Sequence, residues 1–167
     1  MLRLLLAGVA GFVVLSAASA VASPSRVIQG SQKIGAFSTY RDHGKLAHAV
    51  AAFGRPASLV SRRARYDCTA HWPGLGLTMT FNGVCAAGSC FIRADISRPP
   101  WRTAKGLNIG DSLGRLRRLY PKARPRDGLE ALLIEPALEG TIVSLGAKLA
   151  SGKVAAFRVY PCCPCEA

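Results

Sequence analysis

The chain has 167 residues, half of them hydrophobic, and a formal net charge of +13. That length fits one domain with its own core better than two very small lobes, and the positive field favours anionic partners. Beyond the N-terminal region no stretch is long and apolar enough to span a bilayer as a helix.

Residues 1–22 carry Arg3, an apolar run of roughly a dozen residues and the small pair Ala20 and Ala22, the form of a secretory signal peptide. Cleavage before Ser23 leaves a mature chain with a net charge of +12, since Arg3 is the single charge removed. Residues 23–33 read as a flexible N-terminal segment and 34–160 as one domain of two halves, 34–96 and 106–160. In the first half a short helix begins at Leu46, and strand-like runs follow at 64–72, 76–83 and 89–96. Residues 97–105, opening with Ser97-Arg98-Pro99-Pro100, form a connector.

The second half begins with a turn, Gly110-Asp111-Ser112, that supplies an N-cap. Leu113, Leu116, Leu119 and Tyr120 then recur at helical spacing until Pro121 stops the helix. Arg115 and Arg118 lie on the opposite face. Strand-like runs return at 129–135, 140–149 and 153–160, and in the last of these Phe157 and Val159 alternate with Arg158 and Tyr160 as in a half-buried strand. Residues 161–167 form a cysteine-rich tail.

At an offset of 67, Leu46, Ala49, Ala52 and Phe53 fall on Leu113, Leu116, Leu119 and Tyr120, and both segments end in an aromatic residue followed by Gly or Pro. The order predicts an α+β fold: a tandem repeat of a short helix followed by an antiparallel β-meander, with helices packed on one face of the sheet.

The stretches Cys68-Thr69-Ala70-His71-Trp72, Gly76-Leu77-Thr78-Met79-Thr80-Phe81, Trp101-Arg102-Thr103, Gly110-Asp111-Ser112-Leu113 and Leu116-Arg117-Arg118-Leu119-Tyr120-Pro121 resemble uncharacterised secreted proteins of high-GC Gram-positive bacteria. More distantly, the arrangement is similar to the β-lactamase inhibitor protein family and small outer-membrane-assembly lipoproteins. The resemblance implies that proteins are bound through the sheet's open face. It departs from the inhibitors in lacking a second cysteine close after Cys68, and from the lipoproteins in lacking a lipidation cysteine.

Six cysteines, Cys68, Cys85, Cys90, Cys162, Cys163 and Cys165, are an even number in an exported chain and read as structural disulfides. The resemblance implies Cys68 with Cys85, leaving Cys90 for a tail cysteine; a Cys85 to Cys90 hairpin bridge is the open alternative. Cys162 and Cys165 have C-x-x-C spacing but no following helix to activate a thiol. No cofactor and no metal site are expected.

Enzymatic readings are disfavoured. The chain has three histidines, His43, His48 and His71, no Gly-x-Ser-x-Gly motif and no clustered carboxylates, since Asp42, Asp67, Asp95, Asp111 and Asp127 are scattered singly. What remains is a secreted, non-catalytic binding module that presents a sheet face, with Tyr160 and, unless they are core residues, Trp72 and Trp101 as surface aromatics, to an extracellular or envelope protein, which it would bind or inhibit. The alternative is attachment to the cell wall through Arg115, Arg118, Arg124 and Arg126, which would hold teichoic acids, acidic glycans or anionic lipid. Nucleic acid is a poor third, because export removes most targets.

Overall fold

The computed structural model describes residues 25–62, 64, 66–126, 130–132 and 145–161. The expected signal peptide and the tail cysteines Cys162, Cys163 and Cys165 lie outside the described residues.

Two sheets carry the fold. The small one has the order β3-β2-β1-β8, from β1 (Val27–Gln29), β2 (Lys33–Ile34), β3 (Phe37–Ser38) and β8 (Arg102–Thr103). β1 pairs antiparallel with β2 and parallel with β8.

The large sheet follows the order β4-β5-β6-β7-β12-β11-β10-β9. Its strands are β4 (Ser58–Arg62), β5 (Asp67–Trp72), β6 (Leu77–Asn82) and β7 (Phe91–Ile96). They continue as β9 (Arg124–Arg126), β10 (Glu130–Leu132), β11 (Leu145–Ala150) and β12 (Lys153–Val159), and every neighbouring pair is antiparallel.

Alternation gives the large sheet its two faces. Cys68, Ala70 and Trp72 of β5 lie in register with Phe81, Met79 and Leu77 of β6, and all six are buried. Ala94 and Ile96, then Phe157, Val159, Ala147 and Leu145, continue the same buried face across β7, β12 and β11. The intervening residues Thr69, His71, Thr78, Asp95, Arg158 and Lys148 occupy the other face and are half-exposed. Period-two patterning of this kind makes one face apolar and leaves the other in water.

The expected tandem repeat of helix plus meander, with helices packed on one face, is not what forms. The protein is mostly β, with two short helices, α1 (Leu46–Phe53) and α2 (Leu113–Leu119). The core over the large sheet is shared by Ile28, Ile34 and Phe37 of the small sheet and by Trp101 and Leu107, beside Leu46, Ala49 and Leu116 of the helices. α1 packs chiefly against β3 rather than against a meander. Segment 23–33, expected as flexible, contains β1 and the start of β2, and the connector 97–105 contains buried Trp101 and the strand β8.

The two helices also start differently. Ser112 Oγ accepts the Arg115 N–H at 3.2 Å and caps α2. α1 has no side-chain cap; the carbonyls of Ser89 and Ala87 accept the Leu46 and Ala47 N–H groups at 2.9 and 3.0 Å. Phe53 sits half-buried among Phe37, Trp72 and Trp101, whereas Tyr120 is buried with Lys105 Nζ 4.8 Å above its ring. The aligned aromatics therefore stand in different surroundings.

Candidate functional site: the polar face of the large sheet

Trp72 and Trp101, expected as surface aromatics, are 4% and 1% exposed. Each indole N–H finds a carbonyl, Gly54 O for Trp72 and Leu75 O for Trp101, both at 2.8 Å. A buried tryptophan with its one donor satisfied is a core residue, and neither ring is available to a partner. Of the three aromatics named from the sequence, Tyr160 alone is half-exposed, at the end of β12.

Among the cations assigned to envelope binding, Arg115 is already engaged within its own turn. Arg115 pairs with Asp111 through Nε at 3.0 Å and donates from Nη2 to Gly106 O at 3.3 Å. Asp111 Oδ2 also accepts the Asn108 N–H at 2.8 Å, so Arg115 helps hold the turn before α2. Arg118 is exposed in the last turn of α2, where a cation complements the helix carbonyl end. Arg124 is exposed on the edge strand β9, and the Arg126 side chain lies outside the described residues.

A different cluster stands at the centre of the large sheet's polar face. Asp95 on β7 is opposite Arg158 on β12, and Arg158 Nε lies 2.8 Å from Asp95 Oδ1. Lys148 Nζ on β11 reaches the same oxygen at 3.3 Å, and Arg93 Nε lies 3.4 Å from Asp95 Oδ2. Three cations thus surround one carboxylate, leaving two positive charges in surplus at that spot.

Burial differs among them. The Arg158 side chain is 19% exposed, against 39% for Lys148 and 42% for Arg93. Partial burial works against the Arg158 charge, but the hydrogen bond and charge of Asp95, followed by Tyr160, more than offset it. The guanidinium pKa is therefore raised above its ordinary value. The sign is that of a raised base: its contribution is complete below the ordinary arginine range and is lost only above it, so the face keeps this cation at every neutral pH.

Arg93 Nε is shielded from solvent and makes no aligned hydrogen bond among the described residues, its contact with Asp95 being an ion pair without hydrogen-bond geometry. Next to it Thr80 is in register with Arg93, Thr78 with Asp95 and His71 with Thr78. His71 Nδ1 and Thr78 Oγ1 are 3.2 Å apart. The face offers charge, hydroxyls and one imidazole, an arrangement suited to holding anionic or polar groups.

Comparisons with known proteins come to little. No family model and no curated protein matches the chain. A solved structure of an extracellular protein containing an SCP domain, from Bacillus anthracis str. Ames, is similar at 12% identity and a TM-score of 0.44. The likeness covers 71% of this chain and 43% of that one, so the chain spans less than half of that protein's length.

Elsewhere, an open cleft of about 350 Å³ beside α1 is lined by Ala36, Phe37, Ser38, Ala51, Ala52, His43 and His48. His48 Nδ1–H donates to the His43 carbonyl at 3.0 Å, while Asp42 pairs with Lys45 at 3.2 Å instead of with either imidazole. The carboxylate that would orient a histidine base is therefore engaged elsewhere. Among the described residues no group of three or more His, Cys, Asp or Glu is placed to hold a metal ion, and no helix is long and apolar enough to cross a membrane.

Cys68 and Cys85 form a disulfide, and this excludes the Cys85 to Cys90 alternative. Cys90 is disulfide-bonded as well.

Proposed function

We propose that the protein is a secreted, non-catalytic binding module that presents the polar face of its large sheet to an acidic surface on an extracellular or envelope protein. The reading is supported above all by the cluster around Asp95, where three cations on neighbouring strands surround one carboxylate and leave two surplus positive charges on the half-exposed face. Preformed donors on regular strands lose little order on binding and favour a specific complex. The signal peptide and the cysteines contribute the compartment.

The second reading, retention by envelope polyanions, draws on Arg118 and Arg124, which are exposed. Two variants separate the readings: Arg93→Gln with Lys148→Gln, and Arg115→Gln with Arg118→Gln, Arg124→Gln and Arg126→Gln. Captured on beads from an envelope extract at moderate salt, the parent should retain a protein that the double variant loses and the quadruple variant keeps. Loss in the quadruple variant alone, with binding that collapses as salt rises, would replace the first reading by the second. Both variants should melt close to the parent, since pairs this exposed are worth under about 1 kcal/mol each.

A further inference from the structure

The two edges of the large sheet are built differently. β9 at one edge has three residues, Arg-Pro-Arg, and Pro125 has no N–H to donate. Short length, proline and charge are the ordinary means of closing an edge to further strands. β4 at the other edge has five residues, Ser-Leu-Val-Ser-Arg, all exposed, and pairs with β5 over its full length without a bulge. It has no proline, and the middle three residues have no charge.

Register assigns a chemistry to each side of this edge. Leu59, 47% exposed, is opposite buried Ala70 and so projects on the apolar side of the sheet. Val60 and Arg62 are opposite Thr69 and Asp67 and project on the polar side. Val60 is 42% exposed, and Arg62 and Arg55 are exposed cations at the two ends of the strand. A strand added to β4 would meet an apolar side chain on one face and a cation on the other.

We infer that β4 is an acceptor edge for an extended peptide that alternates acidic and apolar residues. Backbone hydrogen bonds to β4, which pairs on its outer side with no strand among the described residues, supply affinity, apolar residues cover Leu59, and carboxylates lie beside Arg62. A second copy of the chain fits badly: antiparallel pairing of β4 with itself would bring two molecules of net charge +13 together and place no acid beside Arg62. This inference is independent of the sheet-face reading.

The probe is a synthetic peptide of alternating glutamate and valine, blocked at both ends and long enough to span β4. Its binding is followed by fluorescence anisotropy, and amide hydrogen exchange is read at residues 58–62. The expected result is slowed exchange in β4, with affinity falling by about tenfold or more for Arg62→Glu, for an N-methylated peptide, and for a lysine-valine peptide. Arg62 is exposed, so the charge-reversed variant keeps the fold, and the N-methylated peptide tests the edge with the protein unaltered. Unchanged exchange at saturating peptide, equal binding of the lysine-valine peptide, or protection of β4 by self-association without peptide would each overturn the inference.

Discussion

Gly76 ends the turn Pro73–Leu75 with φ of +59°, and a Cβ at this position would lie 2.4 Å from Arg98 Cβ and 2.9 Å from the Arg98 backbone nitrogen. Left-handed backbone and a collision with backbone act together here, so Gly76→Ala should destabilise the protein by about 2–4 kcal/mol in urea unfolding. An effect below about 0.5 kcal/mol, the ordinary scale of surface changes, would mean that the turn relaxes freely. The sequence shows that Pro73-Gly74 makes a turn; it does not show that Arg98, far along the chain, closes over it. The same holds for Trp72 and Trp101. Their flanking residues do not distinguish core from surface, and the carbonyls that accept the indole N–H groups, Gly54 O and Leu75 O, are distant in sequence. Trp101→Ala should cost about 3–5 kcal/mol, measured by the same unfolding curves, as large core truncations do.

At the scale of elements, what could be read from the sequence was what is periodic. α1 and α2 follow recurring apolar residues with breakers behind them, and β5, β6, β7, β11 and β12 follow alternation. β1, β2, β3 and β8 are two or three residues long, too short for any period, and β1 pairs with β8 across more than seventy residues. Hence the small sheet leaves no periodic signal, and periodicity alone points to helices as the second layer. The polar cluster was hidden for a related reason: Asp95 stands alone in sequence, and only the β7–β12–β11 register gathers Arg93, Arg158 and Lys148 around it.

Cross-links follow the same geometry. The Cys68 to Cys85 bridge spans 17 residues, and its removal by Cys68→Ser with Cys85→Ser should cost about 3 kcal/mol, read from the shift in the urea midpoint. β12 runs antiparallel to β7, with Val159 opposite Ala94, so the chain leaves β12 toward the end of β7 that Cys90 precedes. Cys90 is bonded and Cys85 is taken, which leaves Cys162, Cys163 and Cys165 as candidates in a monomer. Non-reducing peptide mapping should join the Cys90 peptide to the C-terminal one; a Cys90 to Cys90 link between two chains would refute this.

Taken as a whole, the molecule's large sheet depends on one short junction. Among the described strands, β4 to β7 and β9 to β12 are joined where β7 pairs with β12, over Phe157↔Ile96, Arg158↔Asp95 and Val159↔Ala94. The outer two of these pairs close the core from one side, and the middle pair closes the polar face from the other. Asp95 also reaches Lys148 on β11, so one carboxylate draws three strands together and restrains three cations that would otherwise repel. Asp95→Asn keeps the shape and removes the charge. Losing charged hydrogen bonds in a partly buried site, and exposing the cations to one another, should lower stability by about 1–3 kcal/mol. The same change raises the local surplus from two positive charges to three, so an acidic partner should be held more tightly, chiefly through faster association that weakens with salt. Stability and binding are therefore expected to move in opposite directions in a single variant, melting temperature down and capture of the acidic partner up. A purely structural Asp95 would lower both, through loss of folded protein, and equal capture per folded molecule by parent and variant would remove the cluster from the binding surface.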